Sequence, residues 1–189
     1  MPLQLWTLTI VIATAAVTIV AFKRYGLFLQ LMLDATATVE RGEWWRVVTS
    51  ALVHGDYMHL AINMWVLYNL GSLLELLLGG PATATVYAAG VICGSLAGLA
   101  RNRRTAQYRA VGASGGVSAV LAMSIVLLPT MPMRVMFVPV DIPAWIFGLF
   151  YVSYSFYGMK KLNDGIGHDA HLGGLAVGVL AGLVVHARM

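Results

Sequence analysis

Two residues of this chain have the types that nucleophilic acyl chemistry requires. Ser114 lies in the tetrapeptide Gly112-Ala113-Ser114-Gly115 at the start of an apolar stretch, and His171 begins another apolar stretch near the C-terminus. A serine hydroxyl becomes a good nucleophile when a neighbouring base takes its proton, and histidine is the commonest such base. Ionisable residues inside membrane helices are functional candidates by default. We therefore take Ser114 and His171 as the candidate catalytic pair.

A second pair of polar side chains fits the same chemistry. His59 and Asn63 are four residues apart in a predicted helix, so both side chains project from one face. Both can donate hydrogen bonds, as an oxyanion site requires. A helix that starts at Ser114 adds unpaired backbone N–H groups and the positive end of its dipole. The sequence thus predicts an oxyanion site made by His59, Asn63 and the Ser114 backbone.

The composition places these residues in a membrane protein. Of the 189 residues, 59% are hydrophobic and 11% are charged, against a usual charged share of about 25%. The mean hydropathy is +0.79. A membrane span needs roughly 20 apolar residues, and predicted spans fill most of the chain. We predict one domain over residues 1–189, an all-α polytopic bundle with six spans: Leu3–Phe22, Tyr57–Leu78, Ala82–Ala100, Ala113–Leu128, Ile142–Met159 and His171–Ala187.

Small residues recur at spacings that let helices pack closely. The third and the last predicted spans carry glycines four apart, which leaves one helix face bare: Gly90, Gly94 and Gly98, then Gly174, Gly178 and Gly182. A matching stripe on the fourth span is formed by Ser114, Ser118 and Ala122. His171 lies three residues before Gly174 and shares its face. If the last helix packs against the fourth through these two faces, His171 should lie beside Ser114.

Taken in order, these elements resemble the rhomboid family of intramembrane serine proteases. A G-x-S-G tetrapeptide alone is a weak signal, but its combination with the other elements across six spans is specific. The resemblance covers nearly all of the chain. It rests on Trp45-Arg46, on His54 with His59 and Asn63, on Glu75, on Gly112-Ala113-Ser114-Gly115, and on Ala170-His171 followed by Gly174.

The resemblance implies a compact bundle in which a Ser–His dyad works without a cofactor or a metal. It implies cleavage of other proteins' transmembrane segments, so the expected partners are transmembrane substrates and the lipid bilayer. By motif position, Ser114 is the nucleophile, His171 is the general base, and His59, Asn63 and the Ser114 backbone hold the oxyanion. The residues expected to support the site are Gly112, Gly115, His54 and His168.

One position departs from the family pattern. Many members carry an aromatic residue four positions after the serine, where its ring packs against the histidine, whereas this chain has Ser118 there. The resemblance therefore leaves open what holds His171. Asp169 lies only two residues from His171 and points to a different helix face, so we do not expect it to act as a third catalytic residue.

Two other functions remain open. Three neutral imidazoles with an open position would make a catalytic zinc site, and the same end of the predicted bundle carries His54, His59, His168, Asp169 and His171. The sequence lacks H-E-x-x-H, and a zinc site would leave the serine context without a role. The other alternative is a proteolytically inactive rhomboid-like chaperone or binding module, against which the intact serine, histidine and oxyanion pair argue. The nucleic-acid-binding motifs are absent, so we expect no nucleic-acid partner.

Two signals disagree on the orientation in the membrane. With six spans, ten basic residues lie in the loops of one side, and only Arg134 and Arg188 lie on the side of the termini. The positive-inside rule then places the ten in the cytoplasm. The resemblance to bacterial family members implies the reverse orientation, with cytoplasmic termini. We expect that orientation, in an integral, multi-pass protein of the cell (inner) membrane.

Overall fold

Helices make up most of the computed structural model, which describes residues 4–103, 105, 107–134, 140–162 and 164–188. Leu3, the predicted start of the first span, lies outside these ranges. The described residues form ten α-helices: α1 Leu5–Lys23, α2 Tyr25–Leu31, α3 Ala35–Val39, α4 Arg46–Thr49, α5 Tyr57–Val66, α6 Ser72–Leu78, α7 Gly80–Asn102, α8 Ser114–Leu127, α9 Ala144–Lys161 and α10 His168–His186. Four short strands pair into two antiparallel ribbons: β1 Leu33–Asp34 with β2 Arg109–Ala110, and β3 Pro132–Arg134 with β4 Asp141–Pro143.

Four described helical segments are long and apolar enough to cross a membrane. They are α1, the segment Tyr57–Leu78 that contains α5 and α6, α7 and α10. Helix α8 is apolar but has only 14 residues, and α9, with 18 residues, is not among the four. The predicted class, an all-α polytopic membrane protein, is confirmed, while the count of six spans stays a prediction.

Helix α8 lies at the centre of the bundle. Every residue from Gly115 to Ser124 is buried, as expected of a helix that is apolar on all sides and surrounded by protein. At about 1.5 Å per residue, α8 is roughly 21 Å long, shorter than the ~30 Å hydrocarbon core of a bilayer. At least one of its ends therefore lies at membrane depth, where only surrounding protein can satisfy the backbone.

The glycine face of α10 packs directly on the backbone of α8. A Cβ built on Gly174 would lie 2.8 Å from the carbonyl carbon of Gly115, and one on Gly178 would lie 2.8 Å from that of Ala119. A real Cβ does not approach so closely, so these two positions require glycine. The two helices touch backbone to backbone at the end that carries Ser114.

The predicted stripe on α8 is wrong in its register. Helix α10 lies against Gly115, Ala119, Ala122 and Val126, whereas the sequence indicated Ser114, Ser118 and Ala122. Both stripes consist mainly of small residues and lie next to each other on the helix. Because α8 is apolar all round, its hydropathy pattern does not distinguish between them. Ser118 instead faces α9.

Helix α7 uses its own glycines to complete a three-helix core with α8 and α10. A Cβ on Gly90 would meet the Gly115 carbonyl oxygen at 2.9 Å, and one on Gly94 would meet the Ala170 carbonyl oxygen at 2.8 Å. Gly98 lies against the Tyr108 side chain. The predicted glycine face of α7 therefore contacts α8, α10 and the loop that contains Tyr108. It also brings Ala170 of α10, the residue before His171, against α7.

The long segment between α1 and α5 is held in place by a buried arginine. Arg46 is 7% exposed. Its Nη1 donates to the carbonyl oxygens of Leu29 and Met32, each at 2.8 Å, and its Nε donates to Glu43 at 2.6 Å. These bonds join α2, the turn after it and α4, so the segment is anchored where it leads into α5.

Glu75 ties the first span to the second. Its carboxylate accepts the backbone N–H groups of Trp6 and Thr7 at 3.1 and 2.8 Å, which lie in the first turn of α1. A carboxylate at a helix N-terminus satisfies otherwise unpaired donors and interacts favourably with the helix dipole. The N-terminus of α1 and the C-terminal part of Tyr57–Leu78 therefore share one end of the bundle.

Candidate active site

Ser114 is the first residue of α8, so its hydroxyl lies at the N-terminus of the central helix. The first bonded N–H of this end belongs to Val117, which donates to the Ala113 carbonyl at 3.0 Å. Among the described residues, the N–H groups of Ser114, Gly115 and Gly116 have no backbone acceptor. Unpaired donors at the positive end of a helix dipole are suited to stabilise a developing negative charge.

The turn before Ser114 requires glycine at position 112. Gly112 has a φ of +115°, which residues with a side chain rarely adopt. Its N–H donates to the Ser50 carbonyl at 2.9 Å, and a Cβ would lie 2.6 Å from Cε1 of His59. The same residue thus permits the turn and lets the His59 ring approach the backbone two residues before Ser114.

His54 fixes this turn through a chain of hydrogen bonds. The Ala113 N–H donates to Nε2 of His54 at 3.3 Å, so Nε2 is the unprotonated nitrogen. Nδ1 then carries the proton and donates to Thr18 Oγ1 at 3.1 Å, and that hydroxyl donates to the Leu52 carbonyl at 2.9 Å. Burial, and next the neighbouring His59, lower the pKa of His54 to about 4, so the neutral ring links α1 to the residue before Ser114.

His59 and Asn63 lie on α5, which packs against α8. The Asp56 carboxylate accepts a hydrogen bond from the His59 N–H at 2.7 Å and caps the N-terminus of α5. The His59 ring stands edge-on to the His54 ring, with centroids 4.9 Å apart. Asn63 is 5% exposed, and its Nδ2 donates to the His59 carbonyl at 2.9 Å. One amide hydrogen of Asn63 is thereby used within α5, and the other forms no hydrogen bond among the described residues.

His171 lies in the first turn of α10, because that helix begins at His168 and not at His171 as predicted. The contact of Gly174 with Gly115 brings the first turns of α10 and α8 together. Within the described chain, Ser114 and His171 form no direct hydrogen bond, and the buried Nδ1 of His171 has no hydrogen-bond partner. The imidazole is held by rings instead.

Aromatic contacts enclose the His171 ring on two sides. Tyr151 of α9 stacks on it with a centroid distance of 5.7 Å and an interplanar angle of 29°, and His168 stands edge-on at 6.0 Å. The Tyr151 hydroxyl forms a 2.9 Å hydrogen bond with the hydroxyl of Ser118, which is 1% exposed. The sequence reasoning missed this contact, although Ser118 marked the position where the expected ring was absent.

Asp169 is occupied elsewhere. Its Oδ2 accepts Nδ2 of Asn102 at 2.7 Å, and its Oδ1 accepts the Ala170 N–H at 2.9 Å. The carboxylate thus ties the start of α10 to the end of α7, and it forms no hydrogen bond with His171 in the described structure.

His168 joins α10 to α9. It is 3% exposed, its Nε2 lies 3.2 Å from Asp164 Oδ2, and its ring stands edge-on to Tyr154 at 5.2 Å. Gly158 of α9 leaves the space that this ring fills. The Ile166 N–H, and then His168, hold the pKa of Asp164 below its ordinary value. His168 is therefore a packing residue beside the site.

The histidines do not form a metal-binding cluster with one another in the described part of the chain. No group of three or more His, Cys, Asp and Glu side chains is close enough there to hold a metal ion. The zinc alternative gains no support from this geometry.

The fold and the site define an integral, multi-pass membrane protein with a serine at the N-terminus of its central helix and a histidine on the adjacent helix. The sequence profile of one family, described as the Rhomboid domain, matches residues 41–188. The chain belongs to the rhomboid family.

Curated relatives agree with this assignment. The chain is 29% identical over 150 residues to RHOMBOID-like protein 12, mitochondrial, of Arabidopsis thaliana. The match covers 71% of this chain and 44% of the relative. It is 31% identical to Rhomboid protein 1, mitochondrial, of Saccharomyces cerevisiae (72% and 40%). It is 30% identical to Rhomboid protease GluP of Bacillus subtilis (76% and 26%). The chain thus spans less than half the length of these relatives.

Proposed function

We propose that this chain is an intramembrane serine endopeptidase that cleaves the transmembrane segments of other membrane proteins. The observation that carries the proposal is the backbone contact between Gly174 and Gly115, which sets His171 and Ser114 on adjoining first turns. A relative that is named a protease supports this activity at the level of the family.

In the proposed reaction, His171 takes the proton of the Ser114 hydroxyl while its oxygen attacks the carbonyl carbon of the scissile peptide bond. The tetrahedral oxyanion is stabilised by the unpaired N–H groups at the start of α8, together with His59 and Asn63. His171 then gives its proton to the leaving amine. Water, deprotonated by His171, then attacks the acyl carbon, and His171 gives that proton to the Ser114 oxygen as the ester bond breaks. Hydrogen bonds between catalytic groups often tighten only when substrate is bound.

A fluorophosphonate probe tests this assignment, since it reacts covalently with an activated serine. We expect labelling of the wild type and none of Ser114→Ala or His171→Ala. Both variants should unfold thermally like the wild type and fail to cleave a transmembrane substrate. Absence of labelling in the folded wild type, with activity that a chelator abolishes, would refute the serine mechanism and favour the zinc alternative.

One observation favours a second function, a proteolytically inactive rhomboid-like chaperone or binding module. Ser114 and His171 are not hydrogen-bonded to each other in the described structure, and Nδ1 of His171 has no partner. A folded wild type that binds transmembrane segments, cleaves none and resists the probe would establish this alternative.

Substrate access is proposed to involve α9. This helix packs mainly along α10 and has no extended contact with α5 in the described structure, so a path from the lipid to Ser114 between α5 and α9 needs little rearrangement. Phe150 is 69% exposed, so its removal loosens few helix contacts. Cross-linking α9 to α5 should block cleavage of a transmembrane substrate and spare a small soluble ester. Full cleavage by the cross-linked protein would place the path elsewhere.

We propose the cell (inner) membrane with cytoplasmic termini as the location. Two of the relatives are named mitochondrial, so the membrane that contains this protein has to be identified in the native cell. Tags on either terminus should be protected from external reagents in intact cells. Labelling of a C-terminal tag by an external reagent would show the opposite orientation.

A further inference from the structure

We infer that Tyr151 of α9 is the positioning residue for His171 and that Ser118 of α8 holds Tyr151 in place. This inference rests on the proposed function, because it concerns the general base of that reaction. It also answers the question that Ser118 raised, since the ring against the histidine comes from a different helix.

The ring contacts form a column that ends on the histidine. Phe147 stacks on Tyr151 with centroids 6.1 Å apart and an interplanar angle of 16°, and Tyr151 stacks on His171 at 5.7 Å and 29°. Phe147 and Tyr151 are four residues apart and share one face of α9. The Tyr151 ring thus contacts Phe147 on its own helix, and it covers one face of His171.

The hydroxyl of Tyr151 sets the position of the ring along the column. It bonds to the Ser118 hydroxyl at 2.9 Å, and Ser118 is buried one turn after Ser114 in α8. The same helix therefore carries the nucleophile and the anchor of the ring that holds the base. A serine at position 118 leaves the space that the tyrosine from α9 occupies.

Nothing else in the described structure takes the orienting role on His171. Its Nδ1 has no hydrogen-bond partner, and the Asp169 carboxylate bonds to Asn102 and to the Ala170 backbone. The remaining ring neighbour is His168, which meets His171 edge-on at 6.0 Å. Orientation of the base thus depends on stacking, and the stack depends on Tyr151.

The test measures the labelling rate of Ser114 by a small fluorophosphonate, and kcat and KM for a transmembrane substrate. Because a misplacement of about 1 Å costs roughly 10²-fold in rate, Tyr151→Leu should lose on the order of tenfold to 10²-fold in labelling rate and kcat, with KM unchanged. Tyr151→Phe keeps the ring and should lose only a few-fold. Phe147→Leu is the matched control, because it removes a ring of the same column that does not touch His171.

The anchor is tested by a double-variant cycle. Ser118→Ala and Tyr151→Phe remove the same hydrogen bond from opposite ends, so each should cost a few-fold in labelling rate and the double variant no more than either. Full labelling of Ser118→Ala would overturn the anchoring role. This cycle does not depend on Tyr151→Leu. If Tyr151→Leu does not fold, Tyr151→Met replaces it in the rate measurements.

The outcomes separate this inference from the proposed function. A labelled wild type with an equally labelled, folded Tyr151→Leu overturns the positioning role and leaves the protease assignment intact. A Phe147→Leu variant as slow as Tyr151→Leu overturns it as well, because the loss would then follow from general loosening of α9. A wild type that does not label at all refutes the proposed function itself.

Discussion

A single methyl group at Gly174 tests whether the contact between α10 and α8 aligns the candidate site. The Cβ of Gly174→Ala would lie 2.8 Å from the carbonyl carbon of Gly115 and 3.1 Å from its Cα, and closer still to its carbonyl oxygen. Ordinary contacts begin at 3.4 Å. The obstacle is backbone on a buried helix, so α10 must move as a body.

The size of the effect follows from this overlap. Relieving it requires a displacement of about 1 Å, and a misplacement of that size costs roughly 10²-fold in rate. Overpacking of a close-packed interior costs a further 1–3 kcal/mol of stability, as an order of magnitude. Gly174→Ala should therefore label with a fluorophosphonate roughly 10²-fold more slowly than the wild type and unfold at a lower temperature in detergent.

Gly182→Ala is the matched control for this prediction. Its Cβ would lie 2.8 Å from Cβ of Val126, on the same face of α10 but eight residues farther from His171 than Gly174 is. It should lower thermal stability and leave the labelling rate close to that of the wild type. A Gly174→Ala variant with full labelling and unchanged stability would refute the assignment of this contact. Equal rate losses in both variants would show that the effect is not local to the site.

Four further substitutions test the oxyanion donors, the His54 support and the contact of Glu75 with the start of α1. Asn63→Ala and His59→Ala should each lower turnover by roughly 10²–10³-fold, as loss of an oxyanion donor does; unchanged turnover in both folded variants would assign the oxyanion to the backbone N–H groups. Because burial lowers the pKa of His54 from 6.5 to about 4, the unfolded chain binds a proton below about pH 6.5 that the folded chain does not. The free energy of unfolding should thus fall by up to about 3 kcal/mol as the pH drops from about 6.5 to about 4. His54→Gln should flatten that dependence, and equal pH slopes would contradict the assignment. Glu75→Ala should lower the free energy of unfolding by about 1 kcal/mol, because the N–H groups at the start of α1 lose their acceptor; thermal unfolding that matches the wild type would show that water replaces the carboxylate at no cost.

The helices and the candidate site residues could be predicted from the sequence for a local reason. A membrane helix satisfies its backbone within a continuous segment, so apolar runs predict helices such as α7 and α8 to within a few residues. The serine tetrapeptide and the four-spaced glycines are local patterns as well. The start of α10 was misplaced by three residues, because His168 and Asp169 are polar and the apolar pattern begins only after them.

The tertiary structure decided which faces meet. A helix buried on all sides, as α8 is, gives no hydropathy signal for its rotation, so the contact through Gly115 and Ala119 could not be separated from one through Ser118. The pairing of Leu33 with Ala110 and the stack of Tyr151 on His171 join distant parts of the chain. Such contacts depend on how whole helices are rotated and placed. The residue types of the candidate site could therefore be predicted from the sequence alone, whereas the neighbours of the His171 ring could be identified only from the packing of the helices.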